Sequence, residues 1–336
     1  MNNDSVSVLG SGSWGTALAI LLSQENRPAV LWGHNNQCIQ DLKKNKSNIC
    51  YLPGITFPDT LQLTSDLGEA ASSSEDIIIA VPSHAFRRVL EELKHCLVPQ
   101  SRITWATKGL EPSTHKLLHE VCDEVLHGEY PCAVISGPTF AREVASGLPT
   151  AITIASKDAR FATEFARRLH SDTFRAYTTD DVIGVELGGA LKNVLAIAAG
   201  ISDGLGFGAN SLAALITRGL VELSRLGQVL GGQAETFTGL AGLGDLVLTC
   251  TDDQSRNRRL GLGIAGGKDI DELFTEIGQV VEGFQTAREI HALAREHQVD
   301  MPICEQVYQV LHHGRDPRHA GAELLSRALK PEAILA

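Results

Sequence analysis

Two lysines stand in surroundings that are otherwise apolar or glycine-rich. Lys192 lies inside GGALKNVLAIAAG, and Lys108 follows the run RITWAT. A long cation within an apolar helix costs free energy unless it reaches solvent or a partner. Asp245, in GLAGLGDLVLTC with Thr249 further along, poses the same problem with opposite sign, because a buried carboxylate needs a partner. Lys192 is a sensible one: an amine positioned by a carboxylate can give a proton to an oxygen and take it back. Next along the chain come Ser255, Arg256 and Asn257, whose guanidinium and amide donors suit a phosphate oxyanion. Together these residues suit reversible carbonyl reduction, which needs a hydride donor, a proton donor on the carbonyl oxygen and a clamp on the rest of the substrate. Each residue also has a plainer reading. Lys192 could be a helix lysine extending to solvent, Lys108 a surface lysine at a strand end, Asp245 a helix cap, and 255–257 a solvated loop.

The hydride donor has its own signal. Gly10, Gly12 and Gly15 form G-x-G-x-x-G in GSGSWG, directly after the apolar run VSVLG and before the helical run TALAILLSQ. In a dinucleotide site the first glycine permits the tight strand-to-helix turn and the second leaves room for the pyrophosphate against bare backbone. The third lets helix and sheet approach closely. Ser13 and Trp14 would then lie beside the dinucleotide. After the next strand, AVLWG, the chain reads His34, Asn35, Asn36. An NAD-selective site usually has an acid there for the ribose. Its absence leaves both NAD and NADP as cofactors, with His34 either a contact for a 2′-phosphate or a surface loop residue.

Other chemistries find less support. The ending G-K-[ST] of a P-loop and a G-x-S-x-G nucleophile elbow are both missing. The 12 histidines show no H-E-x-x-H and no convincing spacing with cysteine, so no metal site is expected.

The elements that must carry these residues alternate at first. VSVLG, AVLWG, DIIIAVP, RITWATKG, CAVISGP and AITIAS read as apolar strands separated by helical patterns. Such runs indicate a mostly parallel sheet covered on both faces. From about Asp181 the texture becomes helical, through SLAALITRGLVELSRLGQVL to ICEQVYQVLHHG. We therefore expect an α/β chain: a Rossmann-like dinucleotide-binding domain over residues 1–185 and an all-helical substrate-binding and catalytic domain over 186–336. The stretch from Thr249 to Gly267 is polar and glycine-rich, which suits a long loop or loops around a short helix. No run is expected to reach the roughly 20 apolar residues of a membrane span.

Bulk properties agree. The 336 residues suffice for two domains, and 43% hydrophobic with 21% charged residues fits a globular core. A net charge of -11 with no basic block disfavours nucleic acid or an acidic membrane as partner. Seven scattered cysteines without a C-x-x-C pair fit a reducing compartment. The opening MNNDSVSVLG has no signal-peptide pattern, and a cytoplasmic location is expected.

Several stretches, in order, carry a family resemblance: GSGSWGTALA, VPSHAFR, ATKGLE, SGPTFAREVASGLPTA, GGALKNVLAIAAGISDGLG, GLAGLGDLVLTCTDDQSRNRRLG and VVEGFQTA, from residue 7 to residue 287. The chain resembles the bacterial NAD(P)-dependent glycerol-3-phosphate dehydrogenases. The resemblance implies an N-terminal Rossmann-like domain, a helical C-terminal domain and an active site in the cleft, often in a homodimer. The reaction implied is interconversion of dihydroxyacetone phosphate and sn-glycerol 3-phosphate, feeding phospholipid synthesis. By the same resemblance Lys192 is the general acid/base, with Asn193 beside it as a second contact, and Lys108 meets substrate near the cofactor. Gly137 and Thr139 line the substrate site and Ala141 borders the cofactor. Asp245 supports the lysine and substrate. Ser255, Arg256 and Asn257 hold the phosphate region, and Arg256 also reaches the cofactor. Val280 and Glu282 approach the dinucleotide. Two departures stand out: His34 replaces a residue that is often basic or aromatic, and Glu282 stands where eukaryotic relatives often carry glutamine.

Overall fold

The computed structural model describes residues 5–24 and 27–328. The chain divides into two compact units, one running up to Thr107 and again over Leu118–Val182, the other comprising Lys108–Leu117 and the chain from Ile183 onward.

In the first unit the elements run β1 (Val6–Leu9), α1 (Ser13–Leu22), β2 (Ala29–Trp32), α2 (Asn36–Asn45), β3 (Ser47–Asn48), β4 (Leu52–Thr56), β5 (Leu61–Thr64), α3 (Leu67–Ser72), β6 (Asp76–Ile79), α4 (Ser83–Lys94), β7 (Arg102–Trp105), α5 (Leu118–Leu126), β8 (Cys132–Ser136), α6 (Ala141–Ala145), β9 (Thr150–Ala155), α7 (Ala159–Leu169) and β10 (Phe174–Thr179). Among the described residues they build an eight-stranded sheet in the order β10-β9-β8-β7-β6-β1-β2-β5, beside a short β3–β4 hairpin. Every neighbouring pair in the large sheet is parallel except β8–β9. This is the mostly parallel Rossmann-like sheet expected.

The central strands are buried along their whole length. Val6–Leu9 and Asp76–Ile79 have every residue buried, and each isoleucine of β6 contributes ~1.5–3 kcal/mol by leaving water. Asp76 is the exception in that apolar run. It sits at the N-terminal end of β6, where Arg102 grips it through two bonds of 2.6 and 2.8 Å and Arg168 through a third of 2.9 Å. A buried carboxylate is tolerable only when paired in this way. The opposite, C-terminal end is left to the glycine turn.

The second unit is helical: α8 (Val182–Gly204), α9 (Gly208–Val229), α10 (Ala234–Thr238), a π-turn (Leu240–Gly244), α11 (Asp245–Thr251), α12 (Arg256–Ala265), α13 (Ile270–Ile277), α14 (Glu282–Glu296), α15 (Pro302–His313) and α16 (Pro317–Leu325). α8 corrects one expectation. By length and composition it is apolar enough to cross a membrane, yet 94% of its most apolar window is buried within the protein. It is the core helix around which Leu223, Phe237, Leu246, Leu260 and Ile290 pack.

The polar, glycine-rich stretch after Thr249 is also more regular than its composition suggests. α11 runs on to Thr251, and the ten-residue α12 follows a short connection. Glycine permits rather than breaks this helix. A Cβ on Gly261 would stand 2.2 Å from Ile197 O, and one on Gly200 would stand 2.1 Å from Arg258 O. α12 therefore lies backbone-to-backbone on α8, a contact that outweighs the poor helix propensity of glycine.

Candidate active site

In the first unit, the glycine turn leaves the C-terminal end of β1, the point where the strand order reverses between β6 and β2. Open α/β sheets bind ligands at such points. Gly10 takes φ +125°, and a Cβ there would lie 2.6 Å from Ala80 O. A Cβ on Gly15 would stand 1.9 Å from Gly10 O, so this glycine is what lets α1 close on the turn. Gly12 differs: nothing lies within 4 Å of a Cβ placed there. It is the N-cap of α1 and gives the helix no side-chain cap. The Trp14 indole Nε1 is buried without a hydrogen-bond partner in the described structure. Bare backbone, open space at Gly12 and a helix N-terminus fit a dinucleotide pyrophosphate.

His34 is exposed beyond β2, and Asn35 beside it caps α2 through the Cys38 N–H at 3.0 Å. Gly137 follows β8 at φ +142°. The Thr139 hydroxyl donates to Gly137 O at 3.1 Å, and Ala141 opens α6.

The helical unit assembles most of the chemistry. Lys192, on α8, donates to Asp245 Oδ1 at 2.5 Å, and Lys108, on the 108–117 loop, donates to Asp245 Oδ2 at 2.7 Å. The pairing inferred for Lys192 and Asp245 is thus observed, and Lys108 joins it. Asp245 follows the π-turn and is wholly buried. Thr249, one turn on, donates its hydroxyl to Asp245 O at 2.6 Å, fixing the start of α11.

Burial pushes the Lys192 amine down from its ordinary value to about 7. The Asp245 carboxylate opposes that fall and the neighbouring Lys108 ammonium adds to it. An amine poised near neutrality is suited to both proton donation and proton uptake.

Asn193 adjoins Lys192 on α8. Its Oδ1 accepts from Asn257 Nδ2 at 2.9 Å, and Asn257 Oδ1 accepts from the Gly283 N–H at 2.9 Å. This chain of bonds sits two turns before Gly200 on α8 and one turn before Gly261 on α12, and ties the N-terminus of α14 to the lysine helix. Ser255 is the N-cap of α12, accepting from the Arg258 N–H at 3.2 Å. Arg256 donates to Val280 O at 2.8 Å, which brings Val280 into the same cluster. Glu282 opens α14, two residues further on. Reading residue types one at a time overlooked that Ser255 is a helix cap and that Asn193 and Asn257 are bonded. Reading Asn193 and Asn257 as facing each other requires knowing that α12 exists.

A glycine turn at the switch point of a parallel sheet, in a chain with a buried amine–carboxylate pair in its helical unit, defines a class: dinucleotide-dependent oxidoreductases. Comparison narrows it. Residues 5–162 match the N-terminal model and residues 181–322 the C-terminal model of NAD-dependent glycerol-3-phosphate dehydrogenase. The chain is 54% identical to the glycerol-3-phosphate dehydrogenase [NAD(P)+] of Tolumonas auensis, covering 97% of this chain and 98% of that one. It is 55% identical to the enzyme of the same name from Shewanella halifaxensis, covering 98% of each. The crystal structure of glycerol-3-phosphate dehydrogenase from Coxiella burnetii superposes with a TM-score of 0.94 at 49% identity, covering 97% of this chain and 99% of that one. The chain belongs to the NAD-dependent glycerol-3-phosphate dehydrogenase family, and is an oxidoreductase that acts on a CH–OH group with NAD(P).

Proposed function

We propose that the protein interconverts dihydroxyacetone phosphate and sn-glycerol 3-phosphate, with Lys192 as general acid and base, and so supplies glycerol phosphate for phospholipid assembly. The observation that carries this reading is the buried Lys192 amine, held at 2.5 Å by Asp245 and brought down to about 7 by burial.

Gly10, Gly12, Ser13, Trp14 and Gly15 would hold the dinucleotide, with His34, Lys108, Ala141, Arg256, Val280 and Glu282 as further contacts. When bound, NADH or NADPH supplies the hydride for the carbonyl carbon. The protein's own residues do the rest. Protonated Lys192 Nζ gives its proton to the carbonyl oxygen as that oxygen becomes a hydroxyl. The neutral amine takes a proton from the hydroxyl in the reverse direction. Asp245 fixes where the amine points, and Lys108 adds a second cation that favours a developing alkoxide. Arg256, Asn257 and the N-terminus of α12, capped by Ser255, hold the phosphate. Gly137, Thr139 and Asn193 complete the substrate contacts, and the protein works as a cytoplasmic homodimer.

Oxidation of NADH and of NADPH, followed side by side with dihydroxyacetone phosphate, tests substrate and cofactor together. The reading expects turnover with this ketone phosphate and stoichiometric glycerol 3-phosphate. Cofactor binding without turnover on it would remove the reading.

A further inference from the structure

The loop that carries Lys108 is secured at its far end by a contact outside the amine cluster. Leu110 and Leu117 are buried in the helical core. Between them the loop folds on itself: the Glu111 N–H donates to Lys116 O at 2.9 Å and the His115 N–H to Glu111 O at 3.1 Å. The Thr114 hydroxyl donates to Glu111 Oε2 at 2.5 Å. Ser113 and His115 hold left-handed backbone, φ 74° and 60°. Residues with a Cβ adopt that region at a cost, and keep it where surrounding contacts compensate.

The His115 side chain makes such a contact. Its Nδ1 meets Glu289 Oε2 on α14. Glu289 is 1% exposed, and its other oxygen accepts from Gln285 Nε2. The other titratable ring near this carboxylate, His312, directs its Nε2 to Phe284 O at 2.9 Å. A buried carboxylate without such partners would be costly. The His115–Glu289 contact and the Lys108–Asp245 bond are therefore the two polar ends of one short loop.

We propose that His115 is a positioning residue: its contact with Glu289 seats the 108–117 loop so that Lys108 shares the Asp245 carboxylate with Lys192. The proposal rests on the reading of Lys192 as the acid–base group. The ionisable groups around that amine are Asp245, Lys108 and Cys250, whose thiol is pushed up to about 12 by burial and is neutral. Releasing the loop withdraws a cation and leaves the whole carboxylate to Lys192. Both changes favour the ammonium, so Lys192 must titrate at higher pH.

The test is competitive acetylation by acetic anhydride across neutral and alkaline pH, with the Lys192 and Lys108 peptides quantified by mass. It is run on the full chain, on His115→Asn (asparagine tolerates left-handed backbone) and on Glu289→Gln as a second way to break the contact. Folding is checked by circular dichroism. In both variants the proton affinity of Lys192 should rise about tenfold, one pKa unit, and Lys108 should acetylate several-fold faster at neutral pH. A folded variant of lower melting temperature with an unchanged Lys192 titration would overturn the proposal, leaving the contact a purely structural tie. The readout needs no turnover. If Lys192→Ala remained active, the acid–base role would fall, while a shifted titration would still support the positioning.

Discussion

Lys192 Nζ and Asp245 Oδ1 meet at 2.5 Å from two different helices, and the carboxylate is wholly buried. The same carboxylate presents its other oxygen to Lys108 at 2.7 Å. Two ammonium groups thus compete for one acid in a place poor in water. Burial dominates the outcome for Lys192, and its pKa falls to about 7.

In the proposed role of Lys192, reduction needs the protonated amine and oxidation the neutral one. kcat/KM for the ketone should be flat on the acid side of about 7 and fall above it, while kcat/KM for the alcohol should rise through the same pH. The ratio kcat/KM reports the free enzyme, which is the state described. Asp245→Asn removes the one influence that raises the Lys192 pKa and keeps burial and Lys108, which both lower it. The fall in the reduction profile should move to lower pH, with a loss of roughly 10²-fold or more at neutrality.

Gly12 and Gly15 should separate binding from folding. Gly15→Ala puts a Cβ 1.9 Å from Gly10 O, so the turn must distort, and both melting temperature and dinucleotide affinity should drop. Gly12→Ala meets no protein atom within 4 Å. It should leave the melting temperature within a degree or two while weakening NADH binding about tenfold or more, ~1.4 kcal/mol. Calorimetric titration of both variants checks the pair. Equal NADH affinity in wild type and Gly12→Ala would place the dinucleotide elsewhere.

Glu222 gives a stability test away from the site. It caps α15 by accepting from the Ile303 and Cys304 N–H groups at 2.7 and 3.1 Å, and burial raises its carboxyl from 4.5 to about 7. Because the folded state holds that proton more tightly than the unfolded one, the contribution is full below the unfolded pKa. It is lost as pH rises through about 7. Urea unfolding at a series of pH values should show the stability of wild type minus that of Glu222→Gln declining over this window. A difference independent of pH would contradict the assignment.

Much of this was legible from residue types because local pattern and tertiary role agree there. The glycine turn follows a four-residue apolar strand, and the strands β1, β2, β6, β7, β8 and β9 are apolar runs between helical patterns. What escaped notice depends on partners distant in sequence. β10, FRAYTT, has little of the apolar run that marked the other strands, and its register comes from pairing with β9. The antiparallel sense of β8–β9 leaves no trace in periodicity. α12 contains three arginines and two glycines, RNRRLGLGIA, and is held as a helix by the close backbone contact with α8. His115 looks like a loop histidine until Glu289, far along the chain, is seen against it.

The most direct test of the central claim is Lys192→Ala, followed by stopped-flow oxidation of NADH with saturating dihydroxyacetone phosphate and by separate titration with NADH. The account predicts near-normal NADH affinity, since the glycine turn lies on the other unit, and a rate reduced by ~10²–10⁴-fold. A rate close to wild type in this variant would contradict it.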